Sequence, residues 1–154
     1  MKGLENIEQK LKMALDEYKE KGFITMAPIY IGVVDPLITA FAASIGKPIL
    51  NDSIVFRGKE IAHSVRATKR EKGINVEYNH FIAFPHEMTR MEIYYDTKTG
   101  NYTYTDRADK YIFKPNKIIK VACIQTRAFC LITASSFRKD GNTEFSMDKY
   151  IKTK

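Results

Sequence analysis

A chain of 154 residues carries 25 Lys and Arg against 18 Asp and Glu, a formal charge of +7, with 44% hydrophobic and 12% aromatic side chains. One domain around one core fits that length, and the apolar content excludes wholesale disorder. Two cysteines, Cys123 and Cys130, exclude a disulfide framework and a cysteine-rich zinc site, and no run approaches the ~18 apolar residues of a membrane span.

The opening Met1-Lys2-Gly3-Leu4-Glu5 turns acidic without the apolar run of a secretory signal, so a cytoplasmic location is expected. The positive charge favours polyanionic partners, nucleic acid ahead of acidic proteins and anionic membranes. It is unevenly spread: between Arg57 and Gly73 six basic residues stand against two acidic ones. A solvated helical face would explain such a run equally well.

In chain order, Leu4, Ile7, Leu11, Ala14, Leu15 and Tyr18 share one helical face, with Gly22 placed to close that helix. The apolar run from Phe23 to Val34 reads as a strand or extended entry. Asp35-Pro36 is an N-cap followed by proline at the first helical position, and the stripe Leu37, Ile38, Phe41, Ala42, Ile45 ends at Gly46. Ser53 to Phe56 reads as a short extended piece. From about Lys59 to Arg70 a helix is expected with Ile61, Val65 and Thr68 on one side and Lys59, His63, Arg66 and Arg70 on the other. Val76 to Phe84 reads as a short helix ended by Pro85.

A β-rich part follows. Met91 to Tyr95 and Tyr102 to Thr105 flank the hairpin turn Thr97 to Asn101. Tyr111-Ile112-Phe113 breaks at Pro115-Asn116. Ile118 to Gln125 and Ala128 to Ala134 are apolar on both faces, as central strands are. The segment from Arg138 to Lys154 reads as a loosely attached polar tail. If Thr126-Arg127 forms a two-residue turn, Lys120 faces Thr133 and Cys123 faces Cys130; a three-residue loop would break both pairings. Paired cysteines would be core hydrophobes in a reducing cytosol, a cross-strand disulfide being the alternative.

The histidines, His63, His80 and His86, show neither HExxH nor another ligand spacing, so no metal and no cofactor are expected. His80 and His86 flank the apolar run Phe81 to Phe84 and read as structural.

Taken together, the pieces have an order: Pro28-Ile29-Tyr30-Ile31-Gly32, a helix, Ile54-Val55-Phe56, a helix bearing Glu60-Ile61-Ala62-His63, a helix ending at Pro85, a β-meander, and Leu131-Ile132-Thr133-Ala134-Ser135-Ser136-Phe137. This order resembles the phage-associated branch of the barnase–EndoU–colicin–RelE ribonuclease superfamily over roughly residues 28 to 137. The resemblance implies an α+β fold, N-terminal helices packed on a C-terminal antiparallel sheet, with a nuclease site where they meet. The chain would then be a single domain over residues 1–154: a helix at 4–21, a nuclease-like core at 28–137 and a tail at 138–154.

The same resemblance maps the family's histidine onto His63 and its strand-end threonine onto Thr133. The family pattern commonly has a second histidine several residues after the first, where this chain has Arg66, Lys69 and Arg70. Either these cations serve in its place, or this copy has lost part of its catalytic set.

Metal-free RNA cleavage needs a base for the 2′ proton, an acid for the leaving 5′ oxygen, and cations or hydroxyls on the phosphorane oxygens. Imidazole suits proton transfer because it titrates near neutral pH, and guanidinium and ammonium suit phosphate. The assignment is therefore His63 to acid–base work, Arg66, Arg70 and Lys120 to phosphate, and Thr133 with Ser135 to hydrogen bonding. Lys59 and Lys69 would line the RNA path, and Tyr102 and Tyr104 would stack on bases, unless they are strand packing.

The expected function is a metal-independent endoribonuclease, a toxin or effector acting on tRNA or other RNA, with an acidic inhibitor protein as a further partner. The alternative is a non-catalytic RNA-binding or phage assembly module on the same fold.

Overall fold

The computed structural model describes residues 2–25, 28–65, 78–137 and 145–154. Leu11, Ala14 and Leu15, spaced at three and four, put one face of helix α1 (Lys2–Lys21) into the core. Gly22, at φ +78°, ends the helix in the left-handed region that glycine adopts freely, and its N–H donates to the Tyr18 carbonyl at 2.8 Å. Among the described residues of the apolar run that follows, β1 (Ile29–Val33) is strand.

Helix α2 (Pro36–Ser44) starts as the sequence reading expects. Asp35 caps it by accepting from the Leu37 N–H at 2.9 Å. Strand β2 (Ser53–Phe56) leads into α3 (Gly58–Val65). Gly58 is buried against Ile24, and a Cβ there would come within 2.6 Å of the Ile24 Cγ2.

Helix α4 (Tyr78–Glu87) passes through Pro85 instead of ending there, and runs on into a 3₁₀ turn (Met88–Arg90). Packing outweighs the broken bond. The Phe81 and Phe84 rings on either side of the lost hydrogen bond are clamped among Phe56, Tyr104, Tyr111 and Phe113 at centroid distances of 4.5–6.2 Å.

Strands β3 (Glu92–Asp96) and β4 (Tyr102–Thr105) form the expected hairpin, the Asp96 carboxylate accepting from the N–H groups of Lys98 and Thr99 in the turn. Then come β5 (Asp109–Val121), β6 (Ile124–Ser136) and β7 (Tyr150–Lys152).

The fold is α+β, with four α-helices among the described residues and one seven-stranded sheet in the order β1-β2-β6-β5-β4-β3-β7. The sheet is mixed, not antiparallel throughout: β2 runs parallel to β6, Ile54 beside Phe129 and Val55 beside Cys130. The first two strands come from the helical N-terminal half.

Two expectations about the last strands are corrected. Strand β5 continues through Pro115-Asn116, which sit in an irregularity between Lys114 and Lys117, Asn116 at φ +55°. A bulge accommodates a residue without an N–H donor. The Asn116 amide ties that point to the preceding loop, donating to the Pro48 carbonyl at 2.9 Å while its oxygen accepts from the Leu50 N–H at 2.7 Å.

The β5–β6 turn is Ala122-Cys123, not Thr126-Arg127. Ala122 takes φ +57°, a conformation that a β-branched threonine resists. The register moves accordingly. Lys120 pairs with Gln125, Thr133 with Ile112, and Cys130 with Lys114. Cys123 is exposed at the turn, while Cys130 is buried and burial pushes its thiol up to about 11.

The described part of the tail, residues 145–154, is not loose. Strand β7 pairs with β3, and the backbone of Thr153 and Lys154 hydrogen-bonds to Ile93. Phe145 stacks on Tyr94 at 4.1 Å, with the Arg107 guanidinium over both rings.

Candidate active site

Strand β2 accompanies β6 only as far as Phe129 and Cys130, after which the chain turns into α3. Helix α3 takes over as the neighbour of β6. The Ala134 N–H donates to the Ser64 Oγ at 2.9 Å, and that hydroxyl donates to the Glu60 carbonyl at 2.8 Å. The start of α3 is fixed by a forked pair: Arg57 Nε donates to Glu60 Oε2 at 3.1 Å and Arg57 Nη2 to Oε1, with Glu60 buried. Arg57 is thus taken out of the basic run. Ile61, Ser64 and Val65 face inward, and Lys59 and His63 stand exposed on the outer side, as the helical spacing predicts.

Helix α4 meets the same end of the β5–β6 hairpin. Tyr111, paired with Ala134, points its hydroxyl at the His80 carbonyl at 3.5 Å. Two rungs further, Asp109 pairs with Ser136, and the buried Asp109 carboxylate joins two side chains. Its Oδ1 accepts from the Ser136 Oγ at 2.5 Å, and its Oδ2 lies 3.5 Å from the Nδ1 of the half-exposed His80. The Asp109 backbone is held by Asp106, which accepts its N–H at 2.8 Å, and by Thr105, whose hydroxyl donates to its carbonyl at 2.9 Å. The helices bearing His63 and His80 therefore dock on two successive inward-facing rungs of one hairpin end.

The other predicted residues fall elsewhere. Because Ala134 faces the helices, strand alternation puts Thr133 and Ser135 on the opposite side of the sheet. Ser135 there pairs with Lys110, whose ammonium is held below its ordinary range by burial and lies 5.4 Å from the Phe137 ring centroid. Lys120 stands near the far end of the hairpin, exposed, nine residues along β5 from Tyr111, or about 30 Å at strand rise. It is removed from the His63 neighbourhood.

Tyr102 and Tyr104 are core side chains, 1% and 2% exposed, packed against Tyr95, Phe84, Phe113 and Phe129, so neither ring is open for stacking on a base. Burial pushes the Tyr102 phenol up to about 12 and the Tyr104 phenol higher still. Arg66, Lys69 and Arg70 lie outside the described residues.

Sequence reasoning missed Asp109, Ser136 and Ser64, and gave His80 a structural role. Nothing local marks Asp109, since its partners are 29 residues before it and 27 after it in the chain. Among the described residues no group of three His, Cys, Asp or Glu side chains stands close enough to hold a metal. No helix of the described residues is long and apolar enough to cross a membrane. No family model, no curated protein and no solved structure matches the chain.

Proposed function

We propose that the chain is a metal-independent endoribonuclease with a barnase–EndoU–colicin–RelE-like arrangement, a toxin or effector that acts on tRNA or other cellular RNA. The observation that carries this reading is the pair of histidine-bearing helices at one hairpin end, with His80 beside the buried Asp109 carboxylate. The family pattern's second imidazole is missing from the sequence positions after His63. In this reading His80 supplies it from the next helix.

Asp109 at the Nδ1 of His80 favours the tautomer that leaves Nε2 as a base, and stabilises the imidazolium that forms. His80 takes the proton of a ribose 2′-hydroxyl as the 2′ oxygen bonds to phosphorus. The bond from phosphorus to the 5′ oxygen breaks, and that oxygen takes a proton from the His63 imidazolium. The products are a 2′,3′-cyclic phosphate and a 5′-hydroxyl, and solvent exchange resets the two rings. Lys59, with Arg66 and Arg70, would balance the phosphate charge. Ser136 is a positioning residue that acts through Asp109.

The test is purified protein incubated with total tRNA, with and without EDTA, and analysis of the new ends. Cleavage that survives EDTA and leaves 2′,3′-cyclic phosphate is expected. Loss on chelation with recovery on adding magnesium or zinc would overturn the mechanism. Binding without cleavage under any condition would leave an RNA-binding module in its place.

A further inference from the structure

The β5–β6 hairpin outruns the sheet that holds it. Strand β4 pairs with β5 only from Lys110 to Phe113, and β2 pairs with β6 only at Phe129 and Cys130. Beyond the Lys117–Ala128 rung the hairpin continues as a two-stranded ribbon to the turn at Ala122-Cys123.

Its charge is one-sided. From Lys110 to Lys139 the sequence contains no Asp or Glu, while one face of the ribbon carries Lys120 and Arg127. Neither has a carboxylate partner among the described residues; Arg127 Nη1 donates to the Asn116 carbonyl at 3.3 Å, and the Arg127 carbonyl accepts from the Asn51 side-chain amide at 2.7 Å. Ile118 is 53% exposed, while Ile119 on the other face is buried with Val55 and Ala128, so the ribbon's open face is the one that carries Ile118. By cross-strand pairing Ile118, Lys120, Gln125 and Arg127 share one face, on which Lys120 and Arg127 are diagonal neighbours.

We infer that this ribbon is a second nucleic-acid contact, an arm that grips the phosphates of a duplex segment of the RNA whose single strand reaches His63 and His80. The inference rests on the ribonuclease reading for its ligand. An RNA stem offers proteins its phosphates and 2′-hydroxyls, not its deep, narrow major groove, so an arm of this kind contacts the backbone. Lysine and arginine without acidic neighbours match the phosphate lattice and carry no base preference. The substrate class is therefore a structured RNA, a stem joined to an unpaired stretch.

The test measures binding, so it does not depend on whether the chain cleaves. Fluorescently labelled RNA hairpins carry stems of 4 or 12 base pairs and loops of deoxynucleotides, which lack the 2′-hydroxyl nucleophile. Binding is read by anisotropy between 50 and 200 mM salt for the parent and for a Lys120→Gln, Arg127→Gln variant whose melting temperature is checked first.

The parent should bind the 12-base-pair hairpin more tightly than the 4-base-pair one. The variant should lose that difference, and over this salt range its affinity should fall about 12-fold less than the parent's, as expected for two phosphate contacts removed. Equal affinity of parent and variant for the long stem would overturn the proposal. So would an equal loss on both hairpins, or retention of anionic vesicles or an acidic protein with no RNA bound. Stem-dependent binding in a chain that cleaves nothing would support the arm and refute the nuclease.

Discussion

Lys154 Nζ donates to Asp35 Oδ2 at 2.7 Å, while Oδ1 of the same carboxylate accepts the Leu37 N–H that opens α2. One side chain thus caps a helix and anchors a strand 119 residues away in sequence. Both partners are about three-quarters buried, and the hydrogen bond from Lys154 holds the Asp35 carboxyl below its ordinary range. Two more lysines of the same segment repeat the device, Lys149 at 3.5 Å from Asp96 and Lys152 at 3.1 Å from Glu92. Asp35→Ala should cost about 1–2 kcal/mol, and Asp35→Ser, which keeps a cap, should cost less. Lys154→Ala should cost about 1 kcal/mol. Urea denaturation of the singles and the double should show coupling; full additivity would mean that the pair does not act on stability.

Glu92 gives that edge a pH dependence. Hydrogen bonds from Arg107 and Lys152 hold its carboxyl at about 2, against an ordinary 4.5. A carboxyl depressed by folding stabilises the folded state above its unfolded value and loses that contribution as pH falls through the folded one. Stability should therefore decline between about pH 4.5 and 2. The Glu92→Gln variant should start lower at neutral pH and show a shallower decline. Thermal melting across this range checks it, and parallel curves would exclude Glu92 as a source of the slope.

At the histidines, stability and rate should separate. His63 is exposed on the outer side of α3, so His63→Ala should change stability by no more than ~0.5 kcal/mol. Cleavage should slow at least ~100-fold, the lower end for loss of an acid or base. His80→Ala should lose rate similarly. Asp109→Asn should lose rate as well and cost about 1–3 kcal/mol, because it alters a buried carboxylate that Ser136 and His80 share. Normal cleavage by His80→Ala would return that residue to a structural role.

Tyr104 and Phe84 belong to the ring cluster under the sheet, with centroids 5.9 Å apart. Replacing either with Ala should cost about 3–5 kcal/mol. RNA affinity should fall only in proportion to the folded fraction, which circular dichroism beside anisotropy would separate from a direct contact.

Ala122 sits at φ +57° in the turn at the ribbon's tip. Ala122→Gly should relieve that conformation and raise stability by about 0.5–1 kcal/mol. A loss measured by chemical denaturation would show that the Ala122 methyl makes a contact that outweighs the backbone term.

The helices were largely legible because their signals are local: the three–four spacing on α1, Asp35-Pro36 at α2, and Lys59 and His63 opposite Ile61 on α3. The β3–β4 hairpin was legible for the same reason, its turn lying between two short alternating strands. The long hairpin was not. Moving its turn from Thr126-Arg127 to Ala122-Cys123 shifts every cross-strand partner, which carries Lys120 to the ribbon and puts Cys130 opposite Lys114. The site shows the same limit. His63 could be read from its helix, but the Asp109, Ser136 and His80 set exists only after three elements distant in sequence have met. Tyr102 and Tyr104 alternate with threonines in a pattern that names a strand without saying which face is inside, and here both faces are buried.

The single parallel pair in the sheet also sets an order of events in time. Antiparallel neighbours can zip from a short turn, whereas β2 must wait for β6, some 75 residues later in the chain. Until β6 is made, β1 and β2 have only each other, and the Ser64 hydroxyl has no Ala134 N–H to receive. Closing so long a loop comes before its contacts reward it, which slows folding of non-local sheets. On the ribosome, the helix that carries His63 would be synthesised well before the strand that seats it. Under the proposed ribonuclease function, an emerging chain would be inert towards RNA near the exit tunnel until that last long strand had been delivered.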